Sequence, residues 1–168
     1  ERTDGHPIAE PNSQAVKEIE RMEAILTSPP KVLPLFRKEV VGVEFDDPVS
    51  RALAFMKTRA FSQLPVKRSG RFFGLLSANT GARWLGASVR DEIVSLTETK
   101  VGEVLAHTED PENYVFLNGE SSLFDVLTKF DDFESRGKPL DAILLTQSGK
   151  SGEQLLGIIT VFDVPKIM

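Results

Sequence analysis

Short apolar runs alternate with polar turns along this chain, and the alternation runs through the same order twice. Val40-Val41-Gly42-Val43 reads as a strand. Asp46-Asp47-Pro48 then places a cap and a first-turn proline ahead of a helix with Val49, Ala52, Leu53 and Met56 at helical spacing. Leu64-Pro65-Val66 and Arg71-Phe72-Phe73-Gly74-Leu75-Leu76 predict two strands joined by a turn at Arg68-Ser69-Gly70, and Ser77 opens a helix carrying Ala82, Trp84 and Leu85. In the second pass Tyr114-Val115-Phe116-Leu117 is a strand and Asn118-Gly119 a turn. Ser121 or Ser122 starts a helix through Leu123, Val126, Leu127 and Phe130. Asp141 to Thr146 is a continuous apolar strand of the kind buried on both faces, Ser148 to Gly152 a hairpin loop, Gln154 to Ile159 a strand, and Thr160 the start of a last helix. The pattern is β-α-β-β-α, repeated, and the fold class it predicts is α+β.

Outside the repeat the pattern is different. Residues 1 to about 12 have no periodicity and read as an extended or disordered lead-in. Ser13 is placed to cap a helix over about 14–27, with Val16, Ile19, Met22 and Leu26 forming an apolar stripe that needs a surface to cover, on the following domain or on a partner chain. Residues 90–100, with Glu92, Glu98 and Lys100, read as a partly helical polar connection, and Val101 to Leu105 as a short helical turn. The expected division is an N-terminal arm over 1–35, a first half over 36–98 and a second over 99–168. Pro165 removes a helical N–H, so the last helix is expected to be short or kinked. Its end at Met168 reads as that of a fragment or a trimmed chain.

The two copies share one phrase, Gly74-Leu75-Leu76-Ser77 and Gly157-Ile158-Ile159-Thr160, but differ just after it. The second continues as Thr160-x-x-Asp163, the first as Ser77-x-x-Thr80. A helix start after a strand offers unpaired N–H groups and the positive end of the helix dipole, where a phosphate is stabilised. Asp163 one turn on can accept two hydrogen bonds from a vicinal diol. The same spacing also makes a capping box, in which hydroxyl and acid satisfy the helix's own N–H groups. Both readings stand at this stage. Thr80 lacks the charge that strengthens such bonds, which makes the first copy the poorer site.

Composition narrows the function classes. The net charge is -5 and the basic residues are scattered, with Lys67-Arg68 and Arg71 the one tight group, which argues against a nucleic-acid partner. No apolar run approaches the roughly 18 residues that span a bilayer, and the start has no signal-peptide core. With no cysteine there is no disulfide or zinc-thiolate chemistry, which fits a cytoplasmic protein. Asp46-Asp47 and Asp131-Asp132 lack calcium-loop spacing, and no metal site is expected. His6 and His107 are the two histidines, and no nucleophile elbow accompanies them, so no catalytic residue is assigned.

The residues that carry the repeat resemble a tandem pair of CBS domains, often called a Bateman module. The match lies in Val43 to Leu53, Leu64-Pro65-Val66 and Gly74 to Ser77, then in Val115 to Leu123 and Gly157 to Asp163, and covers roughly residues 36–168. The resemblance implies two halves packed about a pseudo-twofold axis, with a helical arm ahead of them, and two clefts between them. It also implies a regulatory, non-catalytic module that binds an adenine nucleotide or related ligand: AMP, ADP, ATP, S-adenosylmethionine or cyclic di-AMP. A homodimer and an effector protein or attached domain belong to the same expectation; the alternative is a dimerisation or interaction module with vestigial clefts. For the second site it implies that Asp163 holds the ribose hydroxyls beside Thr160, with Asp141, Ala142, Ile143 and Phe116 lining the base pocket. Ser77, Thr80, Leu64 and Gly42 make the weaker first site.

Overall fold

The computed structural model describes residues 12–88 and 94–166. The expected lead-in and the part of the connection around Glu92 lie outside the described residues.

The arm contains one helix, α1, Ser13–Thr27. Its cap is Asn12, whose Oδ1 accepts from the N–H of Gln14 at 2.9 Å, and Ser13, expected to be the cap, is the first helical residue. No residue of α1 is buried, and Ile19, Met22 and Leu26 of the stripe are 65%, 61% and 70% exposed.

The body begins at Lys31. Its elements are α2 (Val32–Phe36), β1 (Val43–Glu44), α3 (Val49–Arg59), β2 (Gln63–Arg68), β3 (Arg71–Ser77), α4 (Ala78–Ser88), α5 (Val101–Leu105), β4 (Tyr114–Asn118), α6 (Leu123–Ser135), β5 (Ala142–Thr146), β6 (Gly157–Ile159) and a 3-10 helix over Val161–Lys166. Two three-stranded sheets, β1-β2-β3 and β4-β5-β6, each hold a parallel pair followed by an antiparallel one. The β-α-β-β-α order is present twice, with the last α-helix replaced by the 3-10 turn that ends in Pro165-Lys166. The β2–β3 turn has positive φ at both Ser69 and Gly70, as the right-handed twist of a two-residue hairpin demands.

Two expected strands are shorter than the pattern suggested. β1 starts at Val43 rather than Val40, because the pairing with β2 begins at Val43–Val66. β6 starts at Gly157 rather than Gln154, and Leu156 gives its N–H to the Leu145 carbonyl just outside the strand.

Each half has its own core, and each core takes in a short helix that precedes the other half. Val49, Ala52, Leu64, Val66, Leu76 and Trp84 of the first half close around Val101 and Val104 of α5. Leu123, Val126, Ile143, Leu145 and Ile159 close around Val32 of α2. Backbone bonds lock the exchange: Val32 N–H to Ser121 O at 2.9 Å and Lys38 N–H to Leu156 O at 3.1 Å on one side, Val101 N–H to Asp47 O and Gly102 N–H to Phe45 O, both 2.9 Å, on the other. Burying each valine fully contributes about 1.5–3 kcal/mol. Residues 31–35, expected in the arm, are therefore part of the body. Gly157, the shared glycine of the second phrase, has a packing reason here: a Cβ there would stand 2.5 Å from the Phe36 carbonyl oxygen at the end of α2.

The helix starts differ between the halves. α6 opens with a reciprocal box, in which the Ser122 N–H donates to Asp125 Oδ2 at 2.6 Å and the Asp125 N–H to Ser122 Oγ at 3.3 Å. α3 starts from Pro48 without a side-chain cap, and Asp47 instead accepts from the Glu44 N–H at 2.8 Å and pairs with Arg51 at 3.1 Å.

Candidate functional site

Where β6 ends, Thr160 and Asp163 face the first half across a cleft of about 250 Å³. The far wall is the extended segment Lys38–Val41 together with Ala60–Gln63 and Pro65, which lead from α3 into β2. The Thr160 N–H and hydroxyl both donate to Asp163 Oδ2, at 3.0 and 3.1 Å, and the Asp163 N–H donates back to the Thr160 carbonyl at 2.9 Å. Capping is thus an observed role of Asp163. Both residues remain half-buried rather than sealed, and Phe162 stands at the rim, 69% exposed. The six-residue 3-10 helix carries little of the dipole expected of a full α-helix at this point. Lys38 is the one cation among the described residues that line the cleft.

The corresponding place in the first half is nearly closed. Ser77 and Thr80 are 4% and 2% exposed, their hydroxyls lie 3.1 Å apart, and the Thr80 N–H donates to Ser77 Oγ at 3.1 Å. The cleft beside them holds about 70 Å³ and is walled by the second half: Thr108, Glu109, Asp110, Asn113, Pro139 and Asp141. Its charges are acidic. The backbone N–H of Glu112, helped by Lys138, holds the Asp110 carboxyl below its ordinary value of 3.8, so it stays ionised. Glu109 pairs with Arg83, and Asp141 Oδ2 accepts from the Asn113 amide at 2.7 Å.

This geometry regroups the expected site residues. Asp141, expected beside Thr160 and Asp163, lines the Ser77–Thr80 cleft instead. Ala142 and Ile143 are 0% exposed, because every position of β5 is taken up by packing and none faces a ligand space. Phe116 packs its ring edge-on against Phe72, 5.2 Å between centroids, and lines neither cleft. Leu64, expected with Ser77, is 0% exposed, and its neighbours Gln63 and Pro65 border the Thr160 cleft. Gly42 follows Val41 of that same wall, where a Cβ would meet the Pro65 carbonyl at 2.7 Å. The crossing of the short helices is the cause: each hydroxyl-bearing strand end meets the segment and loop of the opposite half. Lys38–Val41 and Ala60–Gln63 were missed, although Ser62 holds the place before the middle strand of the first copy that Asp141 holds in the second.

Beside the small cleft, sharing Thr108 and Asn113 with it, lies an apolar cavity of about 410 Å³ bordered by Phe45, Phe73, Leu105 and Tyr114. Burial, and then Glu112, raises the Tyr114 phenol above its ordinary value of 10.0. Among the described residues no group of acidic or histidine side chains is arranged to hold a metal, and no helix is long and apolar enough to cross a membrane.

No family model and no curated protein sequence matches the chain. Solved structures do resemble it. A conserved CBS-domain protein of unknown function from Thermoplasma acidophilum is 18% identical over 83% of this chain and 70% of that one, with a TM-score of 0.60. A hemolysin-like protein containing a CBS domain, from Oenococcus oeni, is 15% identical over 87% and 95%, with a TM-score of 0.57. The CBS domain of a bacterial CNNM/CorC-family Mg2+ transporter, solved in complex with ATP, is 17% identical over 90% and 96%, also at 0.57. At such identities the likeness shows the fold, which is that of a tandem CBS pair.

Proposed function

We propose that the body is a non-catalytic, ligand-sensing regulatory module whose Thr160–Asp163 cleft takes the nucleoside part of an adenine nucleotide or related adenosyl ligand. The observation that carries this reading is the composition of the cleft: a hydroxyl and a carboxylate from one half face an extended backbone segment and a loop from the other, across about 250 Å³. Small-molecule pockets begin at about 300 Å³, so the cleft suits one nucleoside with its phosphates outside, or opens slightly to take it. Asp163 would receive the ribose hydroxyls while holding Thr160. A ligand touching both halves at once favours one mutual arrangement over another, which an effector protein or attached domain can read. The fold of the ATP-bound neighbour supports the reading.

In this reading the halves are 36–98 and 99–168, the setting is cytoplasmic, and the module works as a homodimer. The exposed stripe of Ile19, Met22 and Leu26 on α1 supports the dimer, since it offers a second copy an apolar face. Sedimentation at tens of micromolar should show a dimer that deletion of residues 1–28 weakens.

A thermal-shift screen with AMP, ADP, ATP, S-adenosylmethionine and cyclic di-AMP tests the ligand. A ligand at 100 times its dissociation constant adds about 2.7 kcal/mol of stability. No shift with any of them overturns the nucleotide reading and leaves a dimerisation module.

A further inference from the structure

The tight basic group of the sequence has no part in either cleft between Ser/Thr phrase and opposite half. Lys67 and Arg71 flank the β2–β3 turn, and the fold brings Arg37 and Lys38, just after α2, to the same place. The four border a concave cleft of about 650 Å³, closed on the far side by Gly152–Leu156. It lies at the hairpin end of β2, whereas the Thr160 cleft lies at the Gln63 end. Lys38, Glu39 and Val40 border both, so the two clefts adjoin along that segment; Arg37, Lys67 and Arg71 border only this one.

None of the four is in an ion pair among the described residues. Two carboxylates share the rim, Glu39 and Glu153. The second is already engaged: the Ser148 N–H donates to it at 2.7 Å, its hydroxyl donates as well, and together these bonds lower the Glu153 carboxyl below its ordinary 4.5. Cations therefore outnumber anions around one concavity, in a chain whose net charge is -5. Like charges gathered without partners repel one another, and an anion relieves that repulsion.

We propose that this cleft, which adjoins the Thr160 cleft along Lys38–Val40, is a second binding site, for the phosphate groups of a small phosphorylated ligand. Arg37 and Arg71 offer planar forks that grip phosphate oxygens two at a time, and Lys38 and Lys67 add point charges beside them. The concave shape and limited volume fit a small polyanion, while a nucleic-acid duplex or a flat membrane surface would meet only the rim.

The probe is inorganic triphosphate, titrated into the full chain by calorimetry at low ionic strength. One site per chain is expected, with affinity that falls as salt is added. Arg71→Ala, at an exposed position, and Lys67→Ala, half-buried near the end of β2, should each lose about tenfold. Arg71→Glu should abolish binding, with circular dichroism confirming the fold. Arg136→Ala, beyond the end of α6, is the control for non-specific charge and should bind as wild type. Triphosphate has neither ribose nor base, so this result stands or falls apart from the nucleotide screen. No binding at about 1 mM, equal binding in Arg71→Glu, or an equal loss in Arg136→Ala would each overturn the site. Citrate binding as tightly as triphosphate would overturn phosphate as the recognised group.

Discussion

The two clefts between the halves occupy matching places and differ in room, in closure and in the charges that border them. Around Thr160 and Asp163 there is room for about 250 Å³, a half-buried acid, and Lys38 beside Glu39; around Ser77 and Thr80 there is about 70 Å³, two sealed hydroxyls and three bordering acids. The missing acid in Ser77-x-x-Thr80 is only part of the difference. Each cleft is half built by the opposite copy, and it is the opposite copy that supplies Glu109, Asp110 and Asp141 to one and the adjacent pair Lys38 and Glu39 to the other. A motif therefore reports on one wall of a site, and the room and the remaining charges depend on the wall it does not contain.

The largest effect should come from breaking the crossing itself. Gly157→Val drives a side chain into the Phe36 carbonyl, a backbone atom at 2.5 Å from the first added carbon. It should cost about 3 kcal/mol or more, visible as a lowered melting temperature, and should spoil the Lys38–Val41 wall. Gly74→Ala, at the matching place, meets the flexible end of Leu105 at 3.1 Å and should cost under about 1 kcal/mol. Equal losses would mean that the two short helices are not docked as described.

Asp163→Ala comes next. It should weaken the adenine nucleotide by roughly ten- to hundredfold in calorimetry, the loss of bonds to a charged group worth about 1.5–3 kcal/mol. Thr80→Ala should leave that affinity unchanged. A well-folded Asp163→Ala with wild-type affinity would leave capping as the whole role of that carboxylate.

Thr80→Asp completes the first motif in sequence and sharpens the comparison further. It places a carboxylate at a position 2% exposed, beside three others, and should destabilise by about 1–3 kcal/mol through desolvation and repulsion. The stoichiometry should stay at one nucleotide per chain; a rise to two would show that the acid alone decided the asymmetry.

The smallest effect lies in the helix starts. Ser122→Ala should cost about 1 kcal/mol at neutral pH. The backbone N–H and then the hydroxyl of Ser122 hold the Asp125 carboxyl below its ordinary 3.8. A carboxyl lowered in the folded state adds stability that is fully present above its unfolded pKa and is lost as pH falls through the folded one. The gap between variant and wild type, followed by denaturant melts, should thus narrow as pH drops below 3.8.

What was legible in the sequence was local. The order of elements follows from apolar spacing and turn residues, so α3, the β2–β3 hairpin and the Ser122 start of α6 stand close to their expected places. What escaped was non-local. The apolar run Asp141 to Thr146 already marked a strand buried on both faces, which left little of Ala142 and Ile143 for a pocket, but which cleft Asp141 meets is set by the crossing of α2 and α5. The stripe on α1 was readable as apolar but not as uncovered.

The exchange of short helices also sets a timetable. Within the body Val32 and Lys38 are made first, and they find their backbone partners only at Ser121 and Leu156, which are made much later. Until then α2 has no sheet to settle on, and the first sheet waits for α5 to fill its core. Contacts so distant in sequence make folding slow and leave apolar surface open in the interval. For this body the first element made, α2, has its sheet partner in β6, the last strand made.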